Sequence, residues 1–134
     1  MNLLLDTHIL IWALNEDPRL SETAREMILD AGNVIYYSTV SVWEISIKHA
    51  LHPENVAFSG RELASYCQKA GFLSLEIRDK HVFALETVTR PENAPKHSDP
   101  FDRMLIAQAK AEGMTLLTHD GLLAGYGEKC VIVC

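Results

Sequence analysis

The sequence predicts a three-layer α/β/α sandwich built on a mostly parallel central sheet, and three observations carry that expectation. Short apolar runs without alternation, Leu3-Leu4-Leu5 and Met114 to Leu117, have the composition of strands buried on both faces. Segments of helical period separate the strand-like runs, so strands and helices alternate along the whole chain as βαβ units require. A length of 134 residues, 48% of them apolar, suffices for one core and is too short for two. With no internal repeat, low-complexity tract or linker, residues 1–134 read as a single domain.

The elements follow in order. Leu3 to Leu5 form the first strand, which ends abruptly in Asp6 and Thr7, and His8 to Leu14 continue as a short helix broken by Asn15-Glu16-Asp17-Pro18. Ser21 is a good N-cap for a helix over Glu22 to Asp30, with Gly32 just past its end. Val34 to Tyr37 are β-branched and aromatic, as in a second strand. From Ser41 the period is helical, and Ser41 with Glu44 has the spacing of a capping box, serine at the N-cap and glutamate at N3. His52 to Ser59 are irregular, Arg61 to Ala70 are amphipathic and stopped by Gly71, and Phe72 to Ile77 form a short strand. Asp79 is the expected cap of a helix running towards Val88. The polar, proline-containing segment Arg90 to His97 is a loop. Asp99 then caps a helix with Pro100 at its first position, Gly113 ends it, and Met114 to Leu117 form a strand that delivers Thr118-His119-Asp120. A helical turn over Leu122 to Tyr126 and a strand over Val131 to Val133 complete the chain.

Composition bounds the function. No apolar run approaches the roughly 18 residues of a membrane span, and the first residues carry neither a basic region nor a cleavage site, so a cytoplasmic protein is expected. Cys67, Cys130 and Cys134 form no C-x-x-C pair and no even set, which argues against a disulfide framework or a thiolate zinc site. The net charge of −6 argues against a nucleic-acid partner unless the acids gather around metal ions, whose charge inverts the local field.

The acids are placed to do that. Asp6 and Asp120 follow buried strands, Glu44 lies in the first turn of the helix after the second strand, and Asp99 and Asp102 open the helix that leads to Asp120. All map to the carboxyl edge of a parallel sheet, where ligands bind in such folds. Carboxylates crowded together repel one another unless they take up protons or cations, and hard Mg²⁺ or Mn²⁺ suits an all-oxygen donor set. Such ions, about 3.5–4 Å apart when paired, activate water and stabilise a leaving oxygen in phosphodiester cleavage. Each acid also has a structural explanation: Asp6 and Asp120 as turn residues, Glu44 as half of a capping box, Asp99 as an N-cap and Asp102 as a residue favoured by the helix dipole. His8 and His119 lack the spacing of a zinc site and read as solvent-facing or substrate-contacting groups. Trp12 and Trp43 read as core or interface anchors rather than base-stacking platforms. Lys48, Arg78, Arg90, Lys96 and Arg103 are the available phosphate contacts, with Arg103 singled out by its position beside the acids.

Four segments, Leu4-Leu5-Asp6-Thr7-His8, Ser41-Val42-Trp43-Glu44-Ile45, His97 to Arg103 with Leu105 to Ala109, and Leu116 to Asp120, together resemble the PIN domain family, and in particular its VapC-type toxins. They occur in the family's order and span nearly the whole chain. The resemblance implies a PIN-like fold and a Mg²⁺- or Mn²⁺-dependent endoribonuclease with Asp6, Glu44, Asp102 and Asp120 as catalytic, metal-binding acids. It favours Asp102 over Asp99 as the third acid, with Asp99 as an additional metal-binding member, and it gives Thr7 and Thr118 supporting roles. It also implies an RNA substrate, a homodimer and inhibition by a small cognate antitoxin. Two readings from other classes compete, a metal-dependent phosphatase acting on small esters and a non-catalytic binding module with an acidic pocket. The first wants a second carboxylate near Asp6, and the second a lysine at the end of a late strand; the sequence supplies neither.

Overall fold

In the computed structural model, which describes residues 1–134, five parallel strands form one sheet in the order β3-β2-β1-β4-β5. The strands are β1 (Asn2–Leu5), β2 (Val34–Ser38), β3 (Leu73–Leu75), β4 (Thr115–Thr118) and β5 (Val131–Val133). Six helices connect them: α1 (Thr7–Leu14), α2 (Glu22–Leu29), α3 (Thr39–Leu51), α4 (Gly60–Lys69), α5 (Asp79–Leu85) and α6 (Pro100–Glu112), with a 3₁₀ helix over Gly121–Tyr126. The sheet is wholly parallel, each of its four pairings included.

The expected strands buried on both faces are present, and their period of two divides the core. Leu3, Leu5 and Leu117 pack with Ile9, Leu10, Trp12, Ala24, Ile45 and Leu63 on one face of the sheet. Leu4 and Leu116 point the other way, into Val40, Leu105, Ile106, Ala109, Leu123 and Tyr126. Neighbouring leucines thus serve opposite layers, which is why these runs show no alternation of polarity. Helices cover both faces, and no helix is long and apolar enough to cross a membrane.

The chain leaves β1 towards β2 and β3 on one side, then returns to lay β4 and β5 on the other. The strand order therefore reverses at the β1–β4 pair, with Leu3, Leu4 and Leu5 in register with Thr115, Leu116 and Leu117. At such a switch the two connecting segments depart in opposite directions and open a crevice beyond the carboxyl ends.

Several local expectations change. Helix α3 starts earlier than Ser41: Ser38 is its N-cap and accepts a hydrogen bond from the Val40 amide. The Ser41–Glu44 capping box is therefore absent, and Glu44 lies inside the helix and buried. Arg78, not Asp79, precedes α5, where His81 Nδ1 accepts from the Arg78 amide at 3.0 Å and takes the place of a carboxylate cap. Strand β3 is confined to three residues, because the chain from Glu76 to Arg78 has left the sheet for α5. Trp12 is buried as expected, whereas Trp43 is 53% exposed and is no core anchor, its ring standing edge-to-face with Phe101 at 4.9 Å between centroids.

Helices α3 and α4 approach closely at Gly60, where a Cβ would stand 1.9 Å from Ser46 Oγ and 2.7 Å from the Val42 carbonyl oxygen. The backbone contact cannot be relieved by a rotamer change. Gly60→Ala is expected to lower stability by about 1–3 kcal/mol, the usual cost of overpacking, measured by urea denaturation. Adding Ser46→Ala should recover only part of that loss, because the Val42 carbonyl remains.

Candidate functional site

The acids meet at the crevice beyond β1 and β4. The Asp6 amide still belongs to the sheet, donating to the Leu117 carbonyl at 3.0 Å, while its side chain already caps α1 through Oδ1, which accepts from the Ile9 amide at 2.9 Å. Its other oxygen, Oδ2, accepts from the buried hydroxyl of Thr118 at the end of β4. That hydroxyl in turn accepts from the Asp120 amide at 3.1 Å. One side chain thus ties Asp6 to the backbone that carries Asp120, 114 positions later in the chain.

Glu44 reaches the same place from α3. Thr7 Oγ1 donates to its Oε1 at 2.7 Å, and because that uses the only proton on Thr7, the Ser41 hydroxyl 2.9 Å away is the donor to Thr7. Lys48, one helical turn beyond, places its ammonium on Oε2. Glu44 is therefore buried with both oxygens engaged, and no capping duty accounts for its presence.

Asp99 caps α6 as expected, its Oδ1 accepting from the amides of Phe101 at 2.8 Å and Asp102 at 3.2 Å. Asp102, in the first turn of the same helix, turns instead to His97, with Nε2 3.1 Å from Oδ2. Asp120 caps the 3₁₀ helix, accepting from the Leu122 amide at 2.9 Å through Oδ1. Ligand atoms of His97, Asp102 and Asp120 all lie within 4.8 Å of one another, a separation that one cation can span.

Electrostatics register the crowding. Burial pushes the Asp102 carboxyl up to about 6, repulsion from Asp99 adds to the rise, the His97 contact opposes it, and Asp6 and Glu44 contribute further repulsion. The Asp6 carboxyl is also raised, chiefly by burial, against the stabilising bonds from Thr118 and Ile9 and the nearby His8, with Glu44 pushing the same way as burial. Acids from three separate segments, those of Asp6, of Glu44 and of Asp99 with Asp102, feel one another, and all offer oxygen donors. Such a donor set fits a hard divalent cation, which would replace mutual repulsion with shared attraction.

Of the basic residues singled out in the sequence, Lys48 alone contacts one of the acids. Arg103 donates to the Val88 carbonyl at 3.3 Å and lines a cavity of about 340 Å³ with Val88, Thr89, Arg90, His97, Ser98 and Tyr126. Arg90 is a structural clamp: it donates to the carbonyls of Pro95 and Leu122 and lies over the Tyr126 ring at 4.6 Å. Arg78 lines a separate hollow with Lys80 and Glu112. His8 and His119 flank Trp12, one stacked at 5.9 Å and the other edge-on at 5.1 Å, so they form no metal site with each other. The imidazole that does join the acids, His97, drew no role from the sequence. Its only signal was its place at the end of a long loop, five positions before Asp102.

Comparison with known proteins agrees with this architecture. The VapBC2 complex of Rickettsia felis, solved bound to a DNA fragment from its promoter, contains a chain similar to this one with a TM-score of 0.68 at 19% identity, covering 100% of this chain and 98% of that one. FitAcB from Neisseria gonorrhoeae is similar with a TM-score of 0.63 at 20% identity, over 97% of this chain and 96% of that one. At such identities the likeness is one of fold. No curated protein matches the sequence significantly. The PIN domain model, which describes a family of generally metal-dependent nucleases, matches residues 3–129, and the chain therefore belongs to the PIN domain family.

Proposed function

We propose that this protein is a Mg²⁺- or Mn²⁺-dependent endoribonuclease and the toxin of a toxin–antitoxin pair. The observation that carries the reading is the meeting of Asp6, Glu44, Asp102 and Asp120, from four distant segments, at the switch point of a parallel sheet. These four are the metal-holding acids, with Asp99 close enough to add charge to the group. When bound, the divalent ion supplies Lewis-acid activation of water and neutralises charge on the phosphodiester.

The protein's own groups prepare that chemistry. Thr118 and the Ile9 amide hold the two oxygens of Asp6, and Thr7 with Ser41 behind it holds Glu44, so the acids are oriented before a substrate arrives. Lys48 offsets part of the Glu44 charge and is exposed enough to turn towards a phosphate. Arg103, at the wall of the adjoining cavity, is the second cationic group beside the acids and the phosphate contact in this reading. An overall acidic nuclease is reasonable because a cation, rather than the surface, meets the polyanion.

The partners follow the relatives. The Rickettsia felis and Neisseria gonorrhoeae structures are VapBC2 and FitAcB complexes, and a cognate antitoxin acting on a homodimer is the corresponding arrangement here. An exposed apolar row on α3, Trp43, Ile47 and Leu51, supports burial against another protein.

Asp6→Asn should keep the fold, since asparagine caps a helix as well as aspartate, yet abolish Mn²⁺-dependent cleavage of single-stranded RNA. Retained activity in that variant, or wild-type activity in excess EDTA, rejects the reading. Asp102→Asn removes one of the repelling charges. Its metal-free melting temperature should rise by about 3–5 °C, for roughly 1 kcal/mol of relieved repulsion, while the upward shift that Mn²⁺ produces in the wild type should be lost; differential scanning calorimetry with and without the ion measures both.

A further inference from the structure

We propose that His97 is a nitrogen ligand of the cation site, acting beside Asp102 and Asp120 and biasing the site towards Mn²⁺ over Mg²⁺. The inference rests on the metal-dependent reading above and adds a donor that an all-carboxylate site lacks.

Burial is the first argument. The His97 side chain is only 6% exposed although it ends a loop of polar and proline residues, so the fold brings the ring inward rather than leaving it in water. Its Nε2 faces Asp102 Oδ2 at 3.1 Å, and with Asp120 these ligand atoms fall within 4.8 Å of one another.

The second argument concerns which ring nitrogen faces the acids. Nδ1 lies 2.6 Å from the Tyr126 hydroxyl, and that hydroxyl is also 3.3 Å from the His97 carbonyl oxygen. Nδ1 is thus occupied by Tyr126, and Nε2 is the ring nitrogen turned to the acids, hydrogen-bonded to Asp102 Oδ2 at 3.1 Å. A cation entering between them would replace that hydrogen bond with coordination to both atoms. A ligating histidine whose other nitrogen is held by an outer partner is the usual construction of such sites.

The outer partner is itself well held. Arg90 stacks over Tyr126 while donating to Pro95 and Leu122, and the missing side chain at Gly125 leaves room for its guanidinium, 2.5 Å from where a Cβ would stand. The loop from Arg90 to His97 is thereby closed onto the 3₁₀ helix, and the imidazole is oriented from behind. Imidazole suits Mn²⁺ better than Mg²⁺, which favours oxygen donors and keeps its waters.

The test is electron spin echo envelope modulation of the full-length protein loaded with one equivalent of Mn²⁺, together with calorimetric titration of Mn²⁺ and Mg²⁺. A directly bonded ¹⁴N signal is expected in the wild type and in His8→Gln, and its loss in His97→Gln. His97→Gln should also weaken Mn²⁺ binding by at least about tenfold while changing Mg²⁺ binding by less than about threefold. Mn²⁺ binding to the wild type without a ¹⁴N signal, or a signal that survives in His97→Gln, overturns the role of His97 and leaves the acid site standing. No Mn²⁺ binding to the wild type overturns both. A wild-type spectrum without the signal overturns the proposal whether or not a variant folds, and where His97→Gln fails to fold, His97→Asn takes its place with the same two outcomes.

Discussion

The acidic crevice depends on one hydroxyl. Thr118 is wholly buried at the end of β4, donates to Asp6 and accepts from the Asp120 amide, so it joins the two strand ends flanking the switch point. Without such a joint, two carboxylate-bearing turns on adjacent strands would relax apart under their own repulsion. Its burial makes the joint strong, since a hydrogen bond to a charged acceptor gains when water is excluded. The parallel register of β1 with β4 then transmits that alignment to the rest of the sheet.

Crowding and support are balanced throughout the site. Asp6 is held by two donors, Glu44 by Thr7 and Lys48, and Asp99 by two amides at a helix N-terminus. Asp6 and Asp102 are the members whose environments oppose their charge, both carboxyls being raised chiefly by burial. Unfavourable electrostatic energy is thus held locally in the crevice, while the leucine core on both sides of the sheet carries overall stability.

Much of this was legible in the residues themselves. Leu3 to Leu5 and Leu116 to Leu117 announce strands buried on both faces, and the alternation with helices announces a parallel sheet, because hydrophobic period is a local property. The positions of Asp6 and Asp120 follow directly from where those strands end. Glu44 was ambiguous because Ser41-x-x-Glu44 satisfies a capping pattern; only the true cap, Ser38, shows that the glutamate is free for another role. His97 was hidden for a different reason. Its position depends on Arg90 meeting Leu122 and on Tyr126, contacts across 32 and 29 residues that no local pattern encodes.

The Arg90 clamp also bears on how this part of the chain can vary. Its guanidinium grips the Pro95 carbonyl, so Pro91 to Ala94 bulge outward as an appendix whose two ends are already fastened together. Insertions or exchanges in that bulge leave the spacing between Pro95 and Asp102 untouched. The outer rim can therefore diversify, acquiring new shapes for whatever meets it, while the interior chemistry stays in place.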